Sequence, residues 1–140
     1  MRIEQVTEPA DEVVDALARL LPQLSPGREP PSREHVGQIA REELLLVARS
    51  DTAIVGTLTL VVYRVASGLR ARVEDVIVDE AARGQGVGEA LTREAMARAV
   101  TLGVRTVELT SAPAREAANR LYRRLGFERR ETNVYVWRPQ

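Results

Sequence analysis

The chain has no cysteine and no lysine among its 140 residues, a single histidine, and few aromatics (one Trp, three Tyr, one Phe). Each scarcity excludes a class of chemistry. Without cysteine there is no disulfide scaffold, no thiolate nucleophile and no thiolate metal site. With His35 as the only imidazole, a histidine zinc cluster is excluded as well, and no metal is expected. Without lysine, every mechanism that runs through a lysine Schiff base is closed. No apolar run approaches the ~20 residues of a membrane span, and the N-terminus carries no signal-peptide core. The expectation is a cytoplasmic protein that does not engage a membrane.

What remains is ordinary globular composition, 44% apolar and 29% charged. The length suits one domain with a core that needs no staples. Formal net charge is zero, which argues against non-specific nucleic-acid binding, yet the charge is unevenly placed. Residues 1–80 hold 9 Arg against 14 Asp and Glu, whereas residues 81–140 hold 11 Arg against 6 Glu. An acidic first part suits a cationic partner and a basic second part suits an anion.

Hydrophobic periodicity predicts alternating elements along the whole chain. Met1–Thr7 reads as a strand. Pro9, Asp11 and Glu12 open a helix whose apolar face is Val13, Val14, Leu17, Leu20, Leu21 and Leu24. Residues 25–31, with three prolines and a glycine, form a loop, and Ser32 caps a short helix running to about Glu42. Leu44–Arg49, Ile54–Val65 and Ala71–Val78 read as strands. An irregular stretch from Asp79 leads to a helix over 88–102 that stops at Gly103. Val104–Thr110 is a strand, Ala114–Leu125 a helix ended by Gly126, and Val134–Trp137 a last strand. The fold class is therefore mixed α/β, a mixed sheet flanked by helices, with a parallel crossover from strand 71–78 through helix 88–102 to strand 104–110.

The chemistry sits where that crossover begins. Arg83-Gly84-Gln85-Gly86-Val87-Gly88 lies between a strand and a helix. Glycines let backbone amides approach a ligand, and a helix N-terminus favours negative charge, so the stretch reads as a phosphate or pyrophosphate site. It is not a P-loop, which requires a lysine. A dinucleotide fingerprint starting at Gly86 would place Leu91 at its third small position, and five residues separate Val78 from the first glycine, so that reading fails too.

Val76-Ile77-Val78 followed by Arg83–Gly88 resembles the Arg/Gln-x-x-Gly-x-Gly/Ala acyl-CoA loop of the GNAT superfamily of N-acetyltransferases. The run from Ala118 to Phe127 (ANRLYRRLGF) is similar to that family's second signature, Ala-x-x-Leu/Phe-Tyr-x-x-x-Gly-Phe. Both lie at the separation and on the elements the family uses, and the order of elements covers the whole chain. One position departs: where the family often has Asn, seven residues before the tyrosine, this chain has Arg115.

The resemblance implies a single N-acetyltransferase domain over 1–140 with acetyl-CoA as cosubstrate. Acetyl-CoA would lie along strand 71–78, pairing with the backbone of Val76 and Val78, with its pyrophosphate on the amides of Arg83–Gly88. It implies direct transfer to an amine, with Tyr122 as donor to the departing thiolate and Glu74 as base or amine ligand. Strand alternation places Glu74 and the adjacent Asp75 on opposite faces, so that only one faces the acceptor. His35 could line the acceptor mouth, and Tyr135 and Trp137 suit core or dimer packing, a homodimer being one option. The acidic residues Asp11, Glu12, Asp15, Glu34, Glu42 and Glu43 on the first two helices point to a cationic acceptor, a small molecule or a peptide amine. The alternative function is a non-catalytic acyl-CoA-binding module, which would keep the glycine loop without needing Tyr122 or Glu74.

Overall fold

The computed structural model describes all residues, 1–140. Its elements run β1 (Arg2–Val6), α1 (Asp11–Leu24), α2 (Arg33–Glu42), β2 (Leu44–Arg49), β3 (Ile54–Val65), β4 (Gly68–Val78), a 3₁₀ turn (Glu80–Ala82), α3 (Val87–Leu102), β5 (Val107–Glu108) and α4 (Glu116–Arg124). They fall into two compact units, Met1–Leu109 and Thr110–Gln140. No helix is long and apolar enough to cross a membrane.

The first unit is a five-stranded sheet in the order β1-β2-β3-β4-β5, antiparallel except for the final β4–β5 pair, which is parallel. Apolar residues pack on both faces. β2 (LLLVAR) has no polar alternation because it is covered twice: Leu45 and Val47 face α1 and α2, while Leu46 and Ala48 face α3. The helices follow from their apolar stripes and ends. Ser32 caps α2 as the sequence predicts, its side chain accepting from the His35 amide at 3.1 Å. Gly103 ends α3 in the left-handed conformation, φ 78°. Pro9 lies outside α1, which Ala10 opens, whereas Pro22 sits within its last turn.

Arg49 ties three elements together. Its guanidinium donates to Glu4 of β1 at 2.9 Å and pairs with Glu12 of α1. The bond from Arg49 holds the Glu4 carboxyl below its ordinary value, and Glu12, then Glu4, raise the guanidinium.

Two expected strands differ from the structure. The strand expected over Val104–Thr110 shrinks to Val107–Glu108. Val104 and Val107 are three residues apart and cannot share a face of a regular strand, so the alternation begins only at Val107. The strand expected at Val134–Trp137 does not form. Those residues are in no regular structure, with Tyr135 87% and Trp137 83% exposed, so they do not pack in a core. The second unit supplies no other strand to pair with, and a lone strand leaves its backbone donors and acceptors without partners.

Gly56 of β3 is where sheet and α3 meet most closely. A Cβ there would sit 2.8 Å from Val87 Cγ1 and 3.1 Å from both the Ile77 carbonyl oxygen and Leu91 Cδ1. Gly56→Ala is therefore expected to lower unfolding free energy by about 1–3 kcal/mol, the usual cost of overpacking. Urea denaturation checks this, and an unchanged midpoint would show that α3 can move away from β3.

Candidate functional site

β4 carries one residue too many. Thr57 pairs with Ile77 and Thr59 with Glu74, so Leu58 alone stands opposite both Asp75 and Val76. This is a β-bulge, and it shifts the phase of the strand. Ala71 and Val73 pack toward α3, and beyond the bulge so do Val76 and Val78, while Ile77 packs against α1 and α2. Glu74 and Asp75 lie together between two α3-facing valines, not on opposite faces as regular alternation would put them. Asp75 is the one non-glycine residue with positive φ, 48°. The spacing of Val73 and Val76, three apart inside a strand, is the sequence signal of this bulge.

Beyond the bulge β4 still pairs with β3, through Ile77 and Val78, but on its other side it has already lost its neighbour. Only Ala71 and Arg72 pair with β5, so past Arg72 that side of β4 has no strand partner. Val76, Ile77 and Val78 lie in this stretch.

On the α1–α2 face a cavity of about 440 Å³ opens in the first unit. Leu17, Leu21 and Leu24 of α1, Ile39 of α2 and Leu45 and Ile77 of the sheet give it hydrocarbon walls. Thr57, Thr59 and Asp75 supply polar groups from the sheet, while His35 and the loop residues Ser25, Arg28, Glu29 and Pro31 complete the lining. Thr57 is spoken for, since its hydroxyl donates to the Leu46 carbonyl at 2.9 Å. Asp75 opens onto the cavity, and desolvation, then the neighbouring Glu74 charge, raises its carboxyl above the ordinary value, with Arg28 opposing. Glu74 does not line the cavity and is bonded to Arg72 at 3.2 Å. Nor do the acidic residues of α1 and α2 line it. Asp11 pairs with Arg33, Glu12 with Arg49, and Glu43 accepts from the Val62 amide at 3.3 Å.

After β4 the chain makes the 3₁₀ turn and then the glycine loop. Asp79 accepts from the Ala81 amide at 3.3 Å and pairs with Arg19 of α1, and Gln23 accepts from the Glu80 amide at 3.0 Å. Arg83 folds back to donate to the Val78 carbonyl at 3.2 Å. Gly84 and Gly86 are both left-handed, φ 77° and 82°, with open space where a Cβ would be. That conformation is why glycine is needed there. Gln85 lies between them, and Val87 and Gly88 begin α3. Its first backbone bond runs from the Ala90 amide to the Gly86 carbonyl, and no side chain caps it. The amides of Gly84, Gln85 and Gly86 thus have no backbone carbonyl to donate to.

In the second unit Tyr122 is buried on α4, its ring edge-on to Phe127 with centroids 5.8 Å apart. Desolvation raises its phenol above the ordinary value, and Arg115 opposes the rise. Asn119 reaches back to donate to the Ala112 carbonyl at 3.1 Å, fixing the loop ahead of α4.

Three comparisons bear on this arrangement. Residues 11–127 match the sequence profile of the acetyltransferase (GNAT) family. An uncharacterised N-acetyltransferase of Methanocaldococcus jannaschii is 39% identical over 61 residues, 44% of this chain, and the match spans about a quarter (27%) of that protein's length. Among solved structures, a Trypanosoma brucei acetyltransferase superposes with TM-score 0.78 at 26% identity, over 96% of this chain and 97% of that one. AAC(6')-Iy, in complex with the bisubstrate analogue CoA-S-monomethyl-acetylneamine, superposes with TM-score 0.78 at 19% identity, over 99% of this chain and 98% of that one. With a family profile matched across most of its length, and the glycine loop and Tyr122 on the elements that profile spans, the chain belongs to the GNAT family of acetyltransferases.

Proposed function

We propose that one N-acetyltransferase domain spans the chain and moves an acetyl group from acetyl-CoA directly to an amine. The observation that carries this is the left-handed Gly84/Gly86 loop at the start of α3, whose amides lack backbone partners and whose two glycines have open space where a side chain would be. Such amides at a helix N-terminus suit a pyrophosphate. The unpaired side of β4 beyond Arg72 offers backbone groups at Val76 and Val78 for the pantetheine arm. The CoA complex of AAC(6')-Iy supports this choice of cosubstrate.

In this reading the amine nitrogen attacks the thioester carbonyl, the C–N bond forms, and the C–S bond breaks as the tetrahedral intermediate collapses. Tyr122 gives its phenolic proton to the thiolate, and its buried, raised phenol is protonated at neutral pH and ready to donate. Glu74, ion-paired with Arg72, takes the ammonium proton through water. In this reading a backbone amide at Val76 holds the oxyanion.

Gly86→Val is expected to weaken CoA binding sharply, since it fills the open approach and strains a left-handed residue. Calorimetry returning wild-type affinity would remove CoA from this loop. Tyr122→Phe is expected to lower kcat by about 10²-fold or more while CoA affinity stays unchanged, the usual worth of a general acid. Unchanged turnover would mean that the thiolate leaves without it. Glu74→Gln should lose activity most at low pH, where free amine is scarcest, and a pH–rate profile identical to wild type would take the base role from Glu74.

A further inference from the structure

The cavity of the first unit takes one carboxylate from the sheet, Asp75, beside the aliphatic wall of α1 and Ile39, with Glu29 on the loop at its rim. The Asp75 carboxylate is carried by a residue in a conformation the backbone resists. Asp75 alone among non-glycine residues has positive φ. It makes no hydrogen bond and no ion pair, and it opens into the 440 Å³ space walled by Leu17, Leu21 and Ile39. We infer that the acceptor is a primary amine on a compact apolar body, an alkyl or arylalkyl amine, whose ammonium binds Asp75 and whose hydrocarbon lies along those three side chains. The inference rests on the acetyltransferase reading and narrows it.

Three observations favour this class over a polyamine or an aminoglycoside. First, the wall made by Leu17, Leu21, Leu24 and Ile39 is aliphatic, and hydroxyls or extra ammonium groups laid along it would lose water without gaining partners. Second, the charge at the rim is balanced: Arg28 and Glu29 are of opposite sign, and Arg28 disfavours a second ammonium. Third, the acidic residues of α1 and α2 that would draw a polycation do not reach the cavity, and Asp11 and Glu12 are already neutralised by Arg33 and Arg49. The volume lies toward the small end of the roughly 300–1,000 Å³ that ligand pockets span, which suits a compact molecule. A desolvated carboxylate with Glu74 beside it is short of positive charge, and an ammonium supplies it.

Strain gives the role a signature that a structural residue would not have. Glycine adopts φ near +48° freely, so Asp75→Gly should raise the melting temperature while activity collapses. Asp75→Asn keeps the shape and tolerates the left-handed region but has no charge. It should raise KM for the amine about 10- to 100-fold, as expected for losing a hydrogen bond to a charged group, and leave KM for acetyl-CoA unchanged.

The experiment is thiol release by the full chain with acetyl-CoA and phenethylamine, hexylamine, spermidine or kanamycin, for wild type and both variants, with CoA affinity measured in parallel. The expected result is a kcat/KM for phenethylamine and hexylamine at least 10-fold above that for spermidine and kanamycin, lost in both Asp75 variants. CoA binding with spermidine or kanamycin preferred, or with the Asp75 variants as active as wild type, overturns the acceptor assignment and leaves the acetyltransferase reading standing. Thiol release from none of the four amines overturns the acceptor assignment, and absent CoA binding overturns the acetyltransferase reading with it.

Discussion

The first unit is organised around one extra residue in one strand. By opposing Leu58 with both Asp75 and Val76, β4 changes which of its side chains face which layer halfway along its length. Its first half serves the α3 core through Ala71 and Val73, and its second half does so through Val76 and Val78. The residues between are released from core packing, which is how two adjacent carboxylates survive in the middle of a central strand. The bulge aims an acid into the cavity, and it lies on a stretch of β4 whose other edge is already free, because the short β5 pairs only as far as Arg72.

The neighbouring parts keep that irregularity in place. Gly56, with Val87 and Leu91 of α3 pressed against it, holds the end of β4 and the start of α3 in close register. The glycine loop is thereby mounted on a fully buried part of the unit, with Leu91 and Ala95 of α3 wholly enclosed. On the other face Arg19 of α1 pairs with Asp79 and donates to the Ile54 carbonyl at 2.8 Å, tying the cavity wall to the turn that leads into the loop. A site assembled from rigid elements in this way holds its geometry without needing the loops to do so.

Most of this was legible from residue pattern, and the exceptions share a cause. The helices and the antiparallel strands β1 to β3 fall where periodicity and caps place them, because each carries an apolar stripe of the correct period, with boundary signals such as Ser32 at the start of α2 and Gly103 at the end of α3. The glycine loop and the Tyr122 motif were visible as residue spacings. The missed features, the short β5, the unformed strand at Val134–Trp137 and the true facing of Glu74 and Asp75, depend on partners. Whether a stretch pairs is decided by what lies alongside it, and the phase of a strand is decided by its neighbour's register. The valines at 73 and 76 carry that signal, since residues three apart in an unbroken strand would face opposite ways.

The ion pairs of this chain are all made by arginine: with Glu4 and Glu12, with Asp11, with Asp79 and Glu80, with Glu74 and Glu108, and along α3 with Glu89 and Glu94. A guanidinium is never found as a free base near neutral pH, so it has no lone pair to offer an activated acyl group. Lysine in the same places would make comparable ion pairs but would also present ammonium groups, some fraction of them deprotonated, to any thioester the protein concentrates at its surface. A protein of this family in which no side chain is an amine cannot become its own acceptor through a lysine, and its electrostatic scaffold stays chemically inert toward acylation.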